Sequence, residues 1–234
     1  MKGLLEVLYP RRCLECGRPA PEPFRYICWE CWSAVPRLEA PLCAVCGRPV
    51  AGAITHDFIC YLCAAERPAF DFARSAARYE GVVGEAVRAL KYHAAFHLVP
   101  DLTELLVRCV EAEYFERTYD AVVPVPLHPF RRIRRGFNQS ALLARGLARR
   151  LGLPFSPRLL FRIRNTASQT RLTARERAGN VQGAFRCRKA AMPAGGRILL
   201  VDDVMTTGAT VDACARALRR GGARRVDVVT AARG

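Results

Sequence analysis

The chain has 234 residues, 51% of them hydrophobic, with a formal net charge of +16 and a pI near 10.0. That length holds one domain with its own core plus a small module, and the apolar content excludes a chain too polar to fold. No run approaches the ~20 apolar residues of a membrane span, and Gly3 to Tyr9 is too short for a secretory signal core, so a cytoplasmic protein with no membrane partner is expected.

The charge is unevenly placed. Residues 1–70 carry eight Lys/Arg against seven Asp/Glu, residues 71–234 carry 29 against 14, and between Ala121 and Val201 the only acid is Glu176. Such a field attracts polyanions, a pyrophosphate or a nucleic-acid backbone alike. Because 34 of the 37 basic residues are Arg, the bias also fits genome composition, and many of these side chains are expected at a solvated surface.

The first segment holds four CxxC knuckles, Cys13/Cys16, Cys28/Cys31, Cys43/Cys46 and Cys60/Cys63, spaced by 11, 11 and 13 residues. Two thiolates two residues apart converge on one tetrahedral ion, and two knuckles complete a Cys₄ shell, so two structural zinc sites are expected. Disulfides are the alternative, and they belong to exported chains. The run Cys16-Gly17-Arg18-Pro19 returns 30 residues later as Cys46-Gly47-Arg48-Pro49. This echo favours consecutive ribbons, Cys13, Cys16, Cys28 and Cys31 around one ion and Cys43, Cys46, Cys60 and Cys63 around the other, with cross-bracing as the other pairing. Full Cys₄ shells leave no open position for catalysis, and so short a ribbon draws its folding energy from the metal. Phe24, Trp29, Trp32 and Phe58 are expected to pack, although an exposed aromatic here would stack a nucleobase.

Pro68 to Phe72 reads as a linker, giving a zinc domain over 1–68 and a second domain over 69–234. Beyond it the periodicity predicts a strand at Arg74 to Tyr79, a helix after Gly81 with Val83, Ala86, Val87 and Leu90 on one face, and an amphipathic helix from Leu98 to Cys109. His93 and His97 read as surface histidines, and Glu111, Glu113 and Glu116 as a solvated acidic tail. Asp120 to Val125 is an apolar strand ending in prolines that fix the following turn. Arg131, Arg132, Arg134 and Arg135 follow in a turn before a helix from Ser140 to Leu151; arginine forks beside a helix N-terminus suit a pyrophosphate, and an exposed basic loop is the plainer alternative.

A short strand at Leu159 to Ile163 precedes a long polar and basic loop to about residue 185, with Arg164 and Arg175 in it and a helical turn near Ala174 to Ala178. Long loops of this kind are commonly lids. Ala184 to Cys187 returns as a strand, and Arg225 to Thr230 supplies the last one. Cys109, Cys187 and Cys214 stand in apolar settings and read as small buried hydrophobes.

The chemistry concentrates at residues 197–210. Ile198 to Val201 is a strand buried on both faces, ending in Asp202 and Asp203. Met205, Thr206, Thr207, Gly208, Ala209 and Thr210 then lead into a helix with Val211, Cys214, Ala217 and Leu218 on its apolar face. A small-residue loop entering a helix presents N–H groups at the positive end of a macrodipole, and Gly208 allows positive φ, so the loop suits a phosphate. Ionised acids only accept hydrogen bonds, which directs the pair to sugar hydroxyls and a divalent metal. Neither GxxxxGK[ST] nor GxGxxG occurs in the chain.

The signature ILLVDDVMTTGAT resembles the binding motif of type I phosphoribosyltransferases. The ordered set of VPVPLHPFRRIRRGFNQS, RxxxTxxQxxLxxxxRxxNVxGAF and that signature, behind paired zinc ribbons, resembles the ComF (ComFC/GntX-like) family from about Cys13 to Ala231. The resemblance implies an α/β fold, a central parallel sheet flanked by helices, with a small N-terminal Cys₄ zinc-ribbon domain. It implies that Asp202 and Asp203 hold the ribose hydroxyls of phosphoribosyl pyrophosphate (PRPP), which arrives with Mg²⁺, and that Met205 to Thr210 hold its 5′-phosphate. It assigns Arg131, Arg132, Arg134 and Arg135 to a pyrophosphate loop, and Arg164 and Arg175 to a mobile loop. It further implies a role in natural competence, on single-stranded DNA and beside a helicase-like partner. Two activities fit these residues: a phosphoribosyl transfer to an unidentified acceptor, and a non-catalytic PRPP- or nucleotide-sensing adaptor that binds DNA or protein.

Overall fold

The computed structural model describes residues 11–20, 25–50, 52, 58–114, 118–164, 181 and 183–234. Among them β1 (Phe72–Arg78), β2 (Ala121–Pro124), β5 (Arg197–Met205) and β6 (Arg225–Arg233) form a parallel sheet in the order β1-β6-β5-β2. A second, antiparallel sheet joins β3 (Leu160–Arg162) to β4 (Phe185–Cys187). The central strands are apolar on both sides because both faces are covered. On one face Ile198, Leu200, Val226 and Val228 meet Val211, Cys214 and Leu218 of helix α7 (Ala209–Arg220). On the other, Leu199, Val201 and Val229 meet α3 (Gly81–His93), α4 (Val99–Glu113) and α6 (Gln139–Leu151) through Val87, Leu106 and Leu147.

The six predicted strands are present with shifted ends: β5 runs on through Asp202 and Asp203 to Met205 and β6 to Arg233, β1 starts two residues earlier than expected and ends at Arg78, and β2, β3 and β4 are one or two residues shorter. A larger correction concerns residues 129–135, expected as a turn. They form a helix, α5 (Pro129–Arg135), with His128 Nδ1 accepting from Phe130 N–H at 3.3 Å, Pro129 in the first turn and Gly136 at φ 82° closing the end. An N-terminal cap, an early proline and a terminal glycine are a complete helix signature compressed into nine residues. The helical turn expected at Ala174 to Ala178 lies outside the described residues. None of the described helices is long and apolar enough to cross a membrane.

The 30-residue echo becomes a repeated piece of structure. Gly17 N–H donates to Cys13 O at 3.0 Å and Cys13 N–H to Arg18 O at 2.7 Å; Gly47 N–H donates to Cys43 O at 2.9 Å and Cys43 N–H to Arg48 O at 2.8 Å. In each ribbon the second knuckle opens a short helix, α1 (Trp29–Ser33) after Cys28 and α2 (Tyr61–Ala65) after Cys60.

Both ribbons dock on the sheet. Ala73 N–H of β1 donates to Val45 O at 2.8 Å and Arg78 N–H to Pro36 O at 2.7 Å, so the outer edge of β1 is covered by the two zinc-binding halves. At the opposite edge Val122 N–H of β2 donates to Pro154 O at 2.8 Å and Val122 O accepts from Ser156 at 3.0 Å. An edge strand's unpaired groups are a template for another chain, and here both edges are occupied.

The first ribbon packs Ile27, Trp32 and Val35 against Ala77, Val82, Leu105 and Ala232. Trp32 is buried as expected, whereas Trp29 is 62% exposed. Asp101 of α4, itself buried, accepts the N–H groups of Arg25 at 3.1 Å and Tyr26 at 2.9 Å. Burial raises the Asp101 pKa, and those two donors oppose the rise. Asp101→Ala strands both donors and is expected to cost about 2–3 kcal/mol. A thermal melt measures the loss, and limited proteolysis should cut first near residue 25.

Candidate ribose-phosphate site and metal centres

Asp202 and Asp203 lie near the C-terminal end of the central strand β5, 8% and 4% exposed. Each reaches a partner on a different element. Asp202 Oδ1 accepts from Ser140 Oγ at 2.7 Å, and Asp203 Oδ2 lies 2.7 Å from Lys91 Nζ on α3. Ser140 is held there by its helix cap: Asn138 Oδ1 accepts from Ser140 N–H at 3.1 Å, while Asn138 Nδ2 donates to Val125 O at 3.0 Å. Burial, then the neighbouring Asp203 charge, push the Asp202 pKa up to about 7. Burial disfavours the Lys91 ammonium, but the facing Asp203 carboxylate outweighs it and the Lys91 pKa rises.

Those shifts carry a stability consequence. A carboxyl at 3.8 unfolded and about 7 folded binds more proton in the native state between those values, so native stability falls as pH rises through that window. Asp202→Asn keeps an acceptor for Ser140 without the charge. It is expected to raise the Tm at pH 8 more than at pH 5; an equal shift at both would count against a buried charge as the cause.

Beyond the pair, Val204 to Val211 and Asp202 line a small pocket. Gly208 has φ 86°, and Thr207 Oγ1 accepts from Ala209 N–H at 3.4 Å as α7 begins. Asp202 of the acid pair and the threonine loop therefore border one space. Asp212 in the first turn brings a negative charge near the loop, and its carboxylate is engaged by Ala69 N–H at 2.6 Å and Arg216 Nε at 2.8 Å.

Helix α5 sorts the four arginines of the basic segment. Arg131 and Arg135 are half-buried, while Arg132 and Arg134 are exposed. Arg135 Nη1 donates to Gln139 Oε1 at 2.6 Å and its guanidinium stands 5.8 Å from the Tyr92 ring centre. Arg164 is exposed, and Arg175 lies outside the described residues. Sequence reasoning missed Lys91, Ser140 and Arg162. Arg162 is 7% exposed, and its pKa is lowered by burial and by the like charge of Arg131, against which Asp202 acts. His93 and His97 are exposed, and His97 stacks edge-on against Tyr26 at 4.4 Å.

All eleven cysteines are free thiols, and eight gather as Cys13, Cys16, Cys28, Cys31 and as Cys43, Cys46, Cys60, Cys63, with the sulfurs of each set within 4.8 Å of one another. The pairing is consecutive, not cross-braced. Zinc at ~2.3 Å from four thiolates puts tetrahedral sulfurs ~3.8 Å apart; Cys16 and Cys28 sulfurs stand 3.6 Å apart, and Cys46 and Cys60 sulfurs 3.8 Å. The residues fit Zn²⁺. Cys43 Sγ also accepts from Cys46 N–H at 3.5 Å and Cys60 N–H at 3.3 Å; burial opposes the thiolate, but these donors prevail and lower its pKa to about 6. The sets differ in exposure: Cys16 is exposed and Cys31 half-buried, whereas all four of the second set are buried.

Residues 4–64 match the double zinc ribbon domain family, and residues 138–234 the phosphoribosyl transferase domain family. The chain is 35% identical over 226 residues to the DNA utilization protein YhgH of Escherichia coli, covering 94% of this chain and 95% of that one. It is 30% identical to competence protein F of Haemophilus influenzae, with 93% and 94% covered, and 27% identical to competence protein ComFC of Bacillus subtilis, with 84% and 79% covered. Among solved structures, the glutamine PRPP amidotransferase of B. subtilis complexed with ADP and GMP aligns at 20% identity with a TM-score of 0.43, over 64% of this chain and 30% of that one. Adenine phosphoribosyltransferase of Saccharomyces cerevisiae aligns at 18% identity with a TM-score of 0.38, over 60% and 70%.

Proposed function

The chain belongs to the ComF family, which joins a double zinc ribbon to a phosphoribosyl transferase domain, and from that membership we propose that its acid pair and threonine loop bind PRPP with Mg²⁺. The observation that carries the reading is the common border of the two groups: Asp202 and the loop from Thr206 to Thr210 line one pocket at the end of the central strand. Asp202 and Asp203 accept the 2′- and 3′-hydroxyls of the ribose. Met205 to Thr210 hold the 5′-phosphate by backbone N–H groups and hydroxyls. Arg131, Arg132, Arg134 and Arg135 with Arg164 and Arg175 face the pyrophosphate, and Mg²⁺ neutralises part of its charge. Lys91 and Arg162 extend this assignment beyond the residues legible in the sequence.

As a glycosyltransferase the protein breaks the C1–O bond of PRPP, releases pyrophosphate and joins C1 to an acceptor nucleophile. Arginines that neutralise the departing pyrophosphate stabilise the oxocarbenium-like C1, and loop closure keeps water out. The relatives' names concern DNA utilization and competence, and the +16 charge suits a polyanion, so we place the activity on single-stranded DNA in the cytoplasm beside a helicase-like partner. The domains are 1–68 and 69–234. Calorimetric titration of the zinc-loaded protein with Mg·PRPP tests the site, and pyrophosphate release across an acceptor screen tests transfer. Absence of any binding heat would overturn the whole reading. A second reading, a non-catalytic PRPP- or nucleotide-sensing adaptor, is favoured by one contact: Lys91 already engages Asp203, so ligand arrival shifts a preformed ion pair. Binding without pyrophosphate release from any acceptor would select it.

A further inference from the structure

Arg233 is the penultimate residue and the last of strand β6, and it is 7% exposed. A buried guanidinium is costly unless an anion or strong acceptors face it. Its Nη1 donates to Cys46 O at 2.7 Å, its Nη2 lies 3.9 Å from Cys46 Sγ, and its neighbours include Cys60 and a second cation, Arg48. A cation held among thiols makes sense once four thiolates carry a dication: the loaded centre has a formal charge of about −2 and becomes the counter-charge of Arg233.

The backbone of the same residue belongs to another site. Arg233 is paired in register with Met205, the residue that opens the threonine loop, and Gly234 N–H donates to Met205 O at 3.1 Å. Gly234 is close enough that an added Cβ would meet Thr206 Cγ2 at 3.5 Å. The ribbon end of this connection is also tight. Gly47, at φ +66° just after Cys46, would bring a Cβ to 2.6 Å from Ala73 O of β1.

We propose that Arg233 is a positioning residue that couples the Cys43, Cys46, Cys60, Cys63 zinc centre to the threonine loop: its side chain serves as outer-shell partner of the metal and its backbone fixes the start of the loop. The zinc half stands alone; the loop half rests on the PRPP reading above. Coupling between two bound species is reciprocal, so bound zinc strengthens PRPP binding and PRPP tightens zinc binding by the same factor. Among the described residues the first zinc centre docks differently, through backbone donors to Asp101 and through the apolar Trp32 cluster, on which Cys31 and Val204 also pack.

The test uses the full zinc-loaded chain, its Arg233→Met variant and the charge-preserving Arg233→Lys variant. A chromogenic chelator titration counts how many of the two zincs are extracted and at what affinity. One zinc of Arg233→Met should be lost about 10–100-fold more readily, as when other outer-shell partners are removed, while the second keeps its native affinity. Arg233→Lys should fall between, which separates a charge effect from misfolding. Hydrogen exchange at residues 205–210 should speed up in Arg233→Met, and Mg·PRPP should protect one zinc in the native chain but not in that variant. Native zinc affinities in both variants would overturn the proposal. So would loss of one zinc with unchanged exchange in the loop, because the coupling is then absent. Failure of PRPP to bind the native chain would sink the ligand reading while the chelator and exchange results still decide this one.

Discussion

With Asp202 and Asp203 both changed to alanine, Mg·PRPP affinity is expected to fall about 10²–10⁴-fold. Each carboxylate–hydroxyl hydrogen bond is charge-assisted and worth about 1.5–3 kcal/mol, so losing two removes about 3–6 kcal/mol, at about 1.4 kcal/mol per decade. Calorimetry measures the loss, and a zinc count with a thermal melt shows whether the fold survives. The melt matters because Asp203→Ala strips Lys91 of its counter-charge 2.7 Å away and leaves a largely buried ammonium. The Asn/Asn pair separates the effects: it keeps acceptors and shape without charge. If alanine and asparagine pairs bind as the native chain does, the acids do not hold the ligand.

Removing one thiol from the second metal centre is expected to have the largest effect on stability. Cys43 is 0% exposed and shares a core with Phe70, Ala73, Ile198 and Val228, so this ribbon continues the main core. Structural zinc contributes on the order of 10 kcal/mol of folding free energy to its module. Even half of that, ~5 kcal/mol, lowers the Tm by about 10–20 °C in a chain of this size. Cys43→Ser should melt that far below the native protein. Cys16→Ser, at an exposed ligand of the small satellite cluster of Cys13, Ala20 and Cys28, should lower it much less and leave the phosphoribosyl core intact. Equal losses would mean the two ribbons are equivalent supports.

Much of this molecule is written locally. The CxxC spacings, the 30-residue echo and the strand–acid–threonine–helix run are short-range patterns whose chemistry needs those residue types together, and the tetrads and the loop with positive φ at Gly208 emerge where they point. Three partners of the site escaped because each comes from a distant part of the chain. Lys91 read as the end of an amphipathic helix, Ser140 as a helix start and Arg162 as a strand residue in a basic tract; only the fold brings them to residues 202–203. The helix of Pro129–Arg135 was hidden for another reason: four arginines in seven residues show no apolar period, and the signal lay in its caps, His128 and Gly136. Strand ends were underestimated where acids and a terminal Arg occupy positions that are buried here by the ribbons and by α3.

The covered edge of β1 gives the zinc ribbons a meaning for the life of the protein in the cell. Where Val45 and Pro36 carbonyls accept from Ala73 and Arg78, an emptied or cleaved ribbon would leave a bare, twisted strand at the rim of the sheet. Metal scarcity would then register as self-association and clearance by proteases, so zinc supply would set how many copies persist as well as how each one works.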